Sequence, residues 1–99
     1  DLSLDEVAAS AARILKYGGR FCVVYPAPRA FEMMSAMQRH NLAPKRVQTV
    51  HARADRPPKL ILIEAVKGGG SMLNWLEPLI LYDADGNHSA QWHRLYDQN

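Results

Sequence analysis

Apolar residues at the start of the chain recur every three or four positions. Leu4, Val7, Ala8, Ala11, Ile14 and Leu15 follow that spacing, while Asp5, Glu6, Arg13 and Lys16 take the remaining surface or the ends. The period is helical and predicts an amphipathic helix over residues 4 to 17. Ser3 and Glu6 have the spacing of a capping box, in which each side chain satisfies the other's free backbone amide, so the helix should begin there. Gly18 and Gly19 permit a left-handed exit and should end it. Its alanine-rich stripe suits close packing on a sheet.

The pattern then changes. Arg20 to Tyr25 is apolar at successive positions after Arg20, which predicts a strand covered on both faces, as in the middle of an α/β sheet. Pro26 and Pro28 should end it. Ala30, Phe31, Met33, Met34 and Met37 then form a broad helical face between Arg29 and His40, with Asn41 placed to terminate. The methionines read as core packing in preference to an adhesive surface. From Pro44 to His51, Val47 and Thr49 alternate with Arg46 and Gln48, which predicts a more exposed strand. Lys59 to Val66 carries the strongest strand signal, after a polar connection containing Pro57 and Pro58.

The stretch from Tyr25 to Arg46 is long enough for a crossover helix, whereas that from His51 to Lys59 is not. The order helix, strand, helix, strand, strand therefore predicts an α/β domain with a parallel pair followed by an antiparallel return. Lys67 to Ser71 reads as a glycine-rich break, Met72 to Glu77 as irregular or a short helix, and Pro78 to Tyr82 as a short strand. Asp83 to Asn87 should turn. Ala90 to Tyr96 reads as a helical tail with Trp92 and Leu95 as anchors. Strand 20 to 25 is left with one parallel neighbour, so its other flank needs a partner. A preceding segment, another subunit or Leu79 to Tyr82 could supply it.

Ninety-nine residues, 47% of them apolar and 22% charged, fit one folded domain and exclude a disordered tail. The formal charge of +2 tolerates a nucleic acid partner without requiring one. Cys22 is the sole cysteine, so no internal disulfide can form, and its place in the apolar strand predicts a buried, inert thiol. No apolar run approaches the roughly 20 residues of a membrane helix, and Asp1 to Glu6 is acidic where a secretory leader would be basic. A cytoplasmic, reducing setting is expected. A first residue of Asp in place of Met leads us to expect a piece of a longer protein.

Among the charged residues, Arg46, His51, Arg53, Arg56, Lys59 and Lys67 are candidates for phosphate contact if their loops share a face; otherwise they are solvated charge. Trp75, Tyr82 and Trp92 either stack on exposed bases or anchor the tail. His40, His51, His88 and His93 lack the spacing of a zinc site, and Asp83, Asp85 and Asn87 lack the glycine and final Glu of a calcium loop. No metal ligand, and no nucleophile with its base, is assigned.

The run Leu15-Lys16-Tyr17-Gly18-Gly19-Arg20-Phe21 resembles the LKxGGxF passage late in class I methyltransferases. The crossover helix, strand and hairpin strand after it resemble that fold's last strands in spatial order 5, 7, 6. More narrowly, Leu42-Ala43-Pro44-Lys45-Arg46 with Val50-His51, Leu60 to Glu64, Lys67-Gly68-Gly69, and Pro78 to Asp83 with Gly86 resemble the C-terminal half of the bacterial tRNA1(Val) adenine-37 N6-methyltransferase group. The likeness spans nearly the whole chain.

The resemblance implies the C-terminal half of a Rossmann-like methyltransferase sheet, residues 1 to 99 being one partial domain. The intact enzyme would move a methyl group from S-adenosylmethionine to an adenine amine of tRNA. That family's Asn-Pro-Pro-aromatic motif and early Gly-rich turn have no counterpart here. Pro57-Pro58 lacks the Asn, and Gly68 to Gly70 follow a strand without opening a strand-to-helix unit. No catalytic or cofactor residue is therefore assigned, and no cofactor is expected on this chain alone. The rival reading is a free-standing α/β interaction module that dimerises through its open sheet edge.

Overall fold

A computed structural model describes residues 3 to 96, so the acidic start at Asp1 and Leu2 lies outside the described residues. Helix α1 spans Leu4–Ile14 and opens as the capping box requires. The Glu6 amide donates to Ser3 Oγ at 3.1 Å, and the Ser3 amide donates to Glu6 Oε1 at 3.2 Å. The helix stops three residues short of the expected end, with Leu15 already extended. Lys67 explains the early stop: its ammonium donates to the carbonyls of Ala12 at 2.5 Å and Leu15 at 2.8 Å, taking over acceptors that another turn would have used.

Strand β1 (Arg20–Pro26), helix α2 (Ala30–Arg39), strand β2 (Leu42–His51) and strand β3 (Leu60–Lys67) follow. A short 3-10 turn at Ala27–Arg29, unforeseen in the sequence pattern, joins β1 to α2. Asn41 ends α2 with φ at 61°, a left-handed conformation that asparagine tolerates. Gly68 makes the matching exit from β3 at φ 74°, where a side chain would be strained and its Cβ would lie 2.6 Å from the Tyr17 ring, forcing that ring to shift.

β3 lies between β1 and β2 and runs antiparallel to both, so β1 and β2 are parallel but not adjacent. The expected parallel neighbour of β1 is thus corrected to an antiparallel one. The 5, 7, 6 arrangement implied by the resemblance is the one observed. β2 begins at Leu42, earlier than the pattern suggested, and is not the more exposed strand: Leu42, Val47 and Val50 are buried. The other edge of β2 takes two short parallel strands, β4 (Asn74–Trp75) and β5 (Leu79–Ile80). Leu79 to Tyr82 therefore cannot cover β1. Among the described residues β1 pairs with β3 alone and forms the free margin of the sheet.

Both long helices pack on one face of that sheet. Met33, Ala36 and Met37 of α2 and Ala8 of α1 meet Val47, Ile61, Ile63 and Ala65 in a single apolar core. Phe31 and Ile14, expected in the apolar stripes, are each 82% exposed. An exposed ion pair ties the helices together, Arg39 donating to Asp5 at 2.9 and 3.0 Å. Among the described residues neither α1 nor α2 packs on the opposite sheet face. On it Cys22, Val24, Leu62, Glu64, Arg46 and Gln48 line a concavity of about 340 Å³. Two expectations fail for this reason: β1 alternates between exposed and half-buried residues instead of being covered twice, and Cys22 is exposed.

Candidate nucleic-acid interface

β1, β2 and β5 point the same way, so their C-terminal ends at Pro26, His51 and Ile80 define one edge of the sheet. Ligands of open α/β sheets bind beyond that edge. The connection between β2 and β3 lies there and carries Arg53, Arg56 and Lys59 around a hollow of about 390 Å³. His51 shapes the loop. Its Nδ1 lies 2.8 Å from the Arg56 carbonyl, which can only accept, so Nδ1 holds the proton of the neutral ring. Nε2 then accepts from the Thr49 hydroxyl at 2.9 Å. Arg53 donates through Nη2 to the Ala84 carbonyl at 3.2 Å, and its Nε lies 3.9 Å from Asp55 Oδ1. At that distance Asp55 leaves the buried Nε without a hydrogen bond.

The other two candidate cations are elsewhere. Arg46 lies on the bare sheet face, 3.9 Å from Glu64, which Arg20 also approaches at 3.8 Å. Lys67 lies at the far end of β3, roughly 23 Å from its start at about 3.3 Å per residue. There it holds the end of α1 and sits 5.1 Å above the Tyr17 ring. The structure therefore brings Arg53, Arg56 and Lys59 together and leaves Arg46 and Lys67 apart from them.

A second feature at the same edge escaped the sequence reading. Tyr82, His88, Trp92 and Tyr96 form a ladder of stacked rings, with successive centroids 5.1, 3.8 and 4.6 Å apart and planes within 29° of parallel. The signal was present in part in the four-residue spacing of positions 92 and 96, which puts Trp92 and Tyr96 on one side of a helix, while an antiparallel bridge brings His88 to Tyr82. Helix α3 spans Ala90–Tyr96 and has no buried residue. Polar contacts hold it: the Ser89 hydroxyl donates to the Ile80 carbonyl and accepts from the Trp92 amide at 3.0 Å. Gln91 accepts from the Ile80 amide and donates to the Pro78 carbonyl, both at 2.8 Å. Leu95 is thus not the expected anchor; it is 57% exposed. Tyr82 donates its amide to the Ala52 carbonyl at 2.8 Å, which sets the first ring beside the basic loop.

Trp75 stands apart from the ladder on β4, next to Val47. Asp83 Oδ1 accepts the amides of Asp85 and Asn87, so that segment is a closed polar turn. His40 lies 3.1 Å from Asp5, and among the described residues no three His, Cys, Asp or Glu side chains are grouped to hold a metal ion. No described helix is long and apolar enough to cross a membrane.

Compared with known proteins, the chain matches no family model. A predicted O-methyltransferase from Agrobacterium tumefaciens, solved by crystallography, superimposes with a TM-score of 0.82 over 95% of this chain at 18% identity. The fold is that of a class I methyltransferase. In sequence the chain is 32% identical over 98 residues to the tRNA1(Val) (adenine(37)-N6)-methyltransferase of Dickeya chrysanthemi. It spans 39% of that relative and 45% of the Agrobacterium chain. Within the described residues the fold's usual cofactor, S-adenosylmethionine, finds no fit. The strand ends at Pro26 and His51 lead into a proline-flanked turn and a basic loop, without a Gly-rich turn, and the loop's Asp55 faces Arg53.

Proposed function

We propose that this chain is the C-terminal part of an S-adenosylmethionine-dependent methyltransferase that, when intact, methylates the N6 amine of an adenine in tRNA. What carries the reading is the free margin of β1. A strand with Phe21, Val23 and Tyr25 on the core side and an apolar concavity on the other is built to continue a sheet. Upstream residues would pair with that margin, cover the bare face and bring the cofactor turn and the catalytic motif. This half contributes the basic edge toward the substrate, which would place the enzyme with tRNA in the cytoplasm. The partial span of both relatives supports the division, and the Dickeya protein's stated substrate suggests the nucleobase.

The coding sequence upstream of Asp1 tests this. It should encode a Gly-rich strand-to-helix turn and then a strand ending in Asn-Pro-Pro-aromatic, and the whole product should transfer labelled methyl groups to adenine in a tRNA transcript. An initiator codon at this point would instead favour a module that dimerises through β1, which sedimentation would detect as a stable dimer.

A further inference from the structure

Four stacked rings at the surface need a reason, because they add nothing to the core. The end rings Tyr82 and Tyr96 are 39% and 63% exposed, and α3 is already held by Ser89 and Gln91. The turn between Tyr82 and His88 is fixed by the Asp83 carboxylate, and Arg53 ties that turn to the basic loop through Ala84. A rigid π surface thus stands next to Arg53, Arg56 and Lys59 at the edge where α/β sheets take their ligands.

Deepening the reading above, we infer that this ladder is a stacking platform for unpaired bases of single-stranded RNA, one on each end ring, Tyr82 and Tyr96, with the phosphates at the Tyr82 end meeting the loop cations. The chemistry fits each part. A nucleobase adds one more ring to a terminal face, a contact open to any base. Its flanking phosphates supply acceptors that the cationic loop lacks among the described residues, where Arg53 has the Ala84 carbonyl and the distant Asp55. Asp83 and Asp85 add negative charge nearby, but Asp83 directs an oxygen at the backbone of its own turn. An aromatic and cationic surface of this kind selects exposed bases over a closed duplex, whose bases are already stacked.

Fluorescence anisotropy of the intact protein with a labelled single-stranded oligoadenylate tests this, beside an oligomer of equal length with abasic sites and a duplex. Tyr82→Ala and Tyr96→Ala should each weaken binding of the oligoadenylate about tenfold, while Tyr82→Phe and Tyr96→Phe stay within about twofold. The abasic oligomer should bind the native protein no better than the alanine variants bind the oligoadenylate. Equal binding of abasic and base-bearing oligomers, tighter binding of duplex, unaltered alanine variants or no binding at all would each overturn the inference. Tyr96 keeps the test decisive if loss of Tyr82 unfolds the turn. A protein that binds through these rings yet transfers no methyl group would sink the methyltransferase reading alone; methyl transfer without ring-dependent binding would sink only this one.

Discussion

The thiol of Cys22 lies 3.8 Å from the Glu64 carboxylate on the sheet face turned away from α1 and α2. Register places Cys22 opposite Glu64 on β3, and Arg46 opposite Glu64 from the other side. Cys22 is exposed in this chain, and on the proposed reading a second layer of the intact protein would cover the row. Alkylation of Cys22 should therefore be rapid in the isolated 99-residue chain and roughly tenfold or more slower in the intact protein. Equal rates, measured by mass spectrometry, would mean that the face stays bare.

Lys67 is a structural cation. Lys67→Met keeps the aliphatic stem but leaves the Ala12 and Leu15 carbonyls without their charged donor. Urea unfolding should show a loss of about 1 to 2 kcal/mol, in line with a hydrogen-bonded charge that is only partly buried. Oligonucleotide affinity should not change, in contrast to removal of Arg53 or Arg56.

Met37 and Phe31 lie on the same helix but differ completely in surroundings. Met37 is fully buried between α2 and the sheet, whereas Phe31 is 82% exposed. Met37→Ala should cost about 2 to 5 kcal/mol and Phe31→Ala under about 0.5 kcal/mol. Comparable losses from the two, measured by chemical denaturation, would contradict the packing described.

The ion pair between α1 and α2 gives stability a pH dependence. Hydrogen bonding from Arg39, opposed by desolvation and reinforced by His40, holds the Asp5 carboxyl below its ordinary value of 3.8. Glu32 is likewise lowered, chiefly by its hydrogen bond with Arg29. Because the folded values are depressed, both contributions are present above the unfolded carboxylate range and are lost as pH falls through the folded values. Asp5→Asn should lower the thermal midpoint at about pH 7, and the difference from the native chain should vanish in acid below the folded value. A difference that persists there would assign the effect to something other than the charge.

Sequence periodicity located the helices and long strands because each buries a face of fixed spacing: Ala8 and Ala11 on one helix, Met33 and Met37 on the other, Ile61 and Ile63 on β3. It misplaced Cys22 because an apolar run reports which residues prefer burial, not which partner is present to bury them. The end of α1 was overestimated for a related reason, since the residue that closes it, Lys67, is distant in sequence. Of the five Arg and Lys side chains among the six residues proposed for phosphate contact, the three that cluster belong to one loop. Arg46 and Lys67 were separated by strand register, which a linear pattern does not contain. The aromatic ladder was missed because Tyr82 and Trp92 were considered without His88 and Tyr96, although positions 92 and 96 share a helical side; the bridge that brings His88 to Tyr82 is not contained in a linear pattern.

The proposed division of labour between this chain and an upstream half is tested most directly by calorimetric titration with S-adenosylmethionine. The isolated 99-residue chain should give no saturable heat, and the intact protein should bind one equivalent. Stoichiometric, tight binding by the isolated chain, or none by the intact protein, would contradict the account.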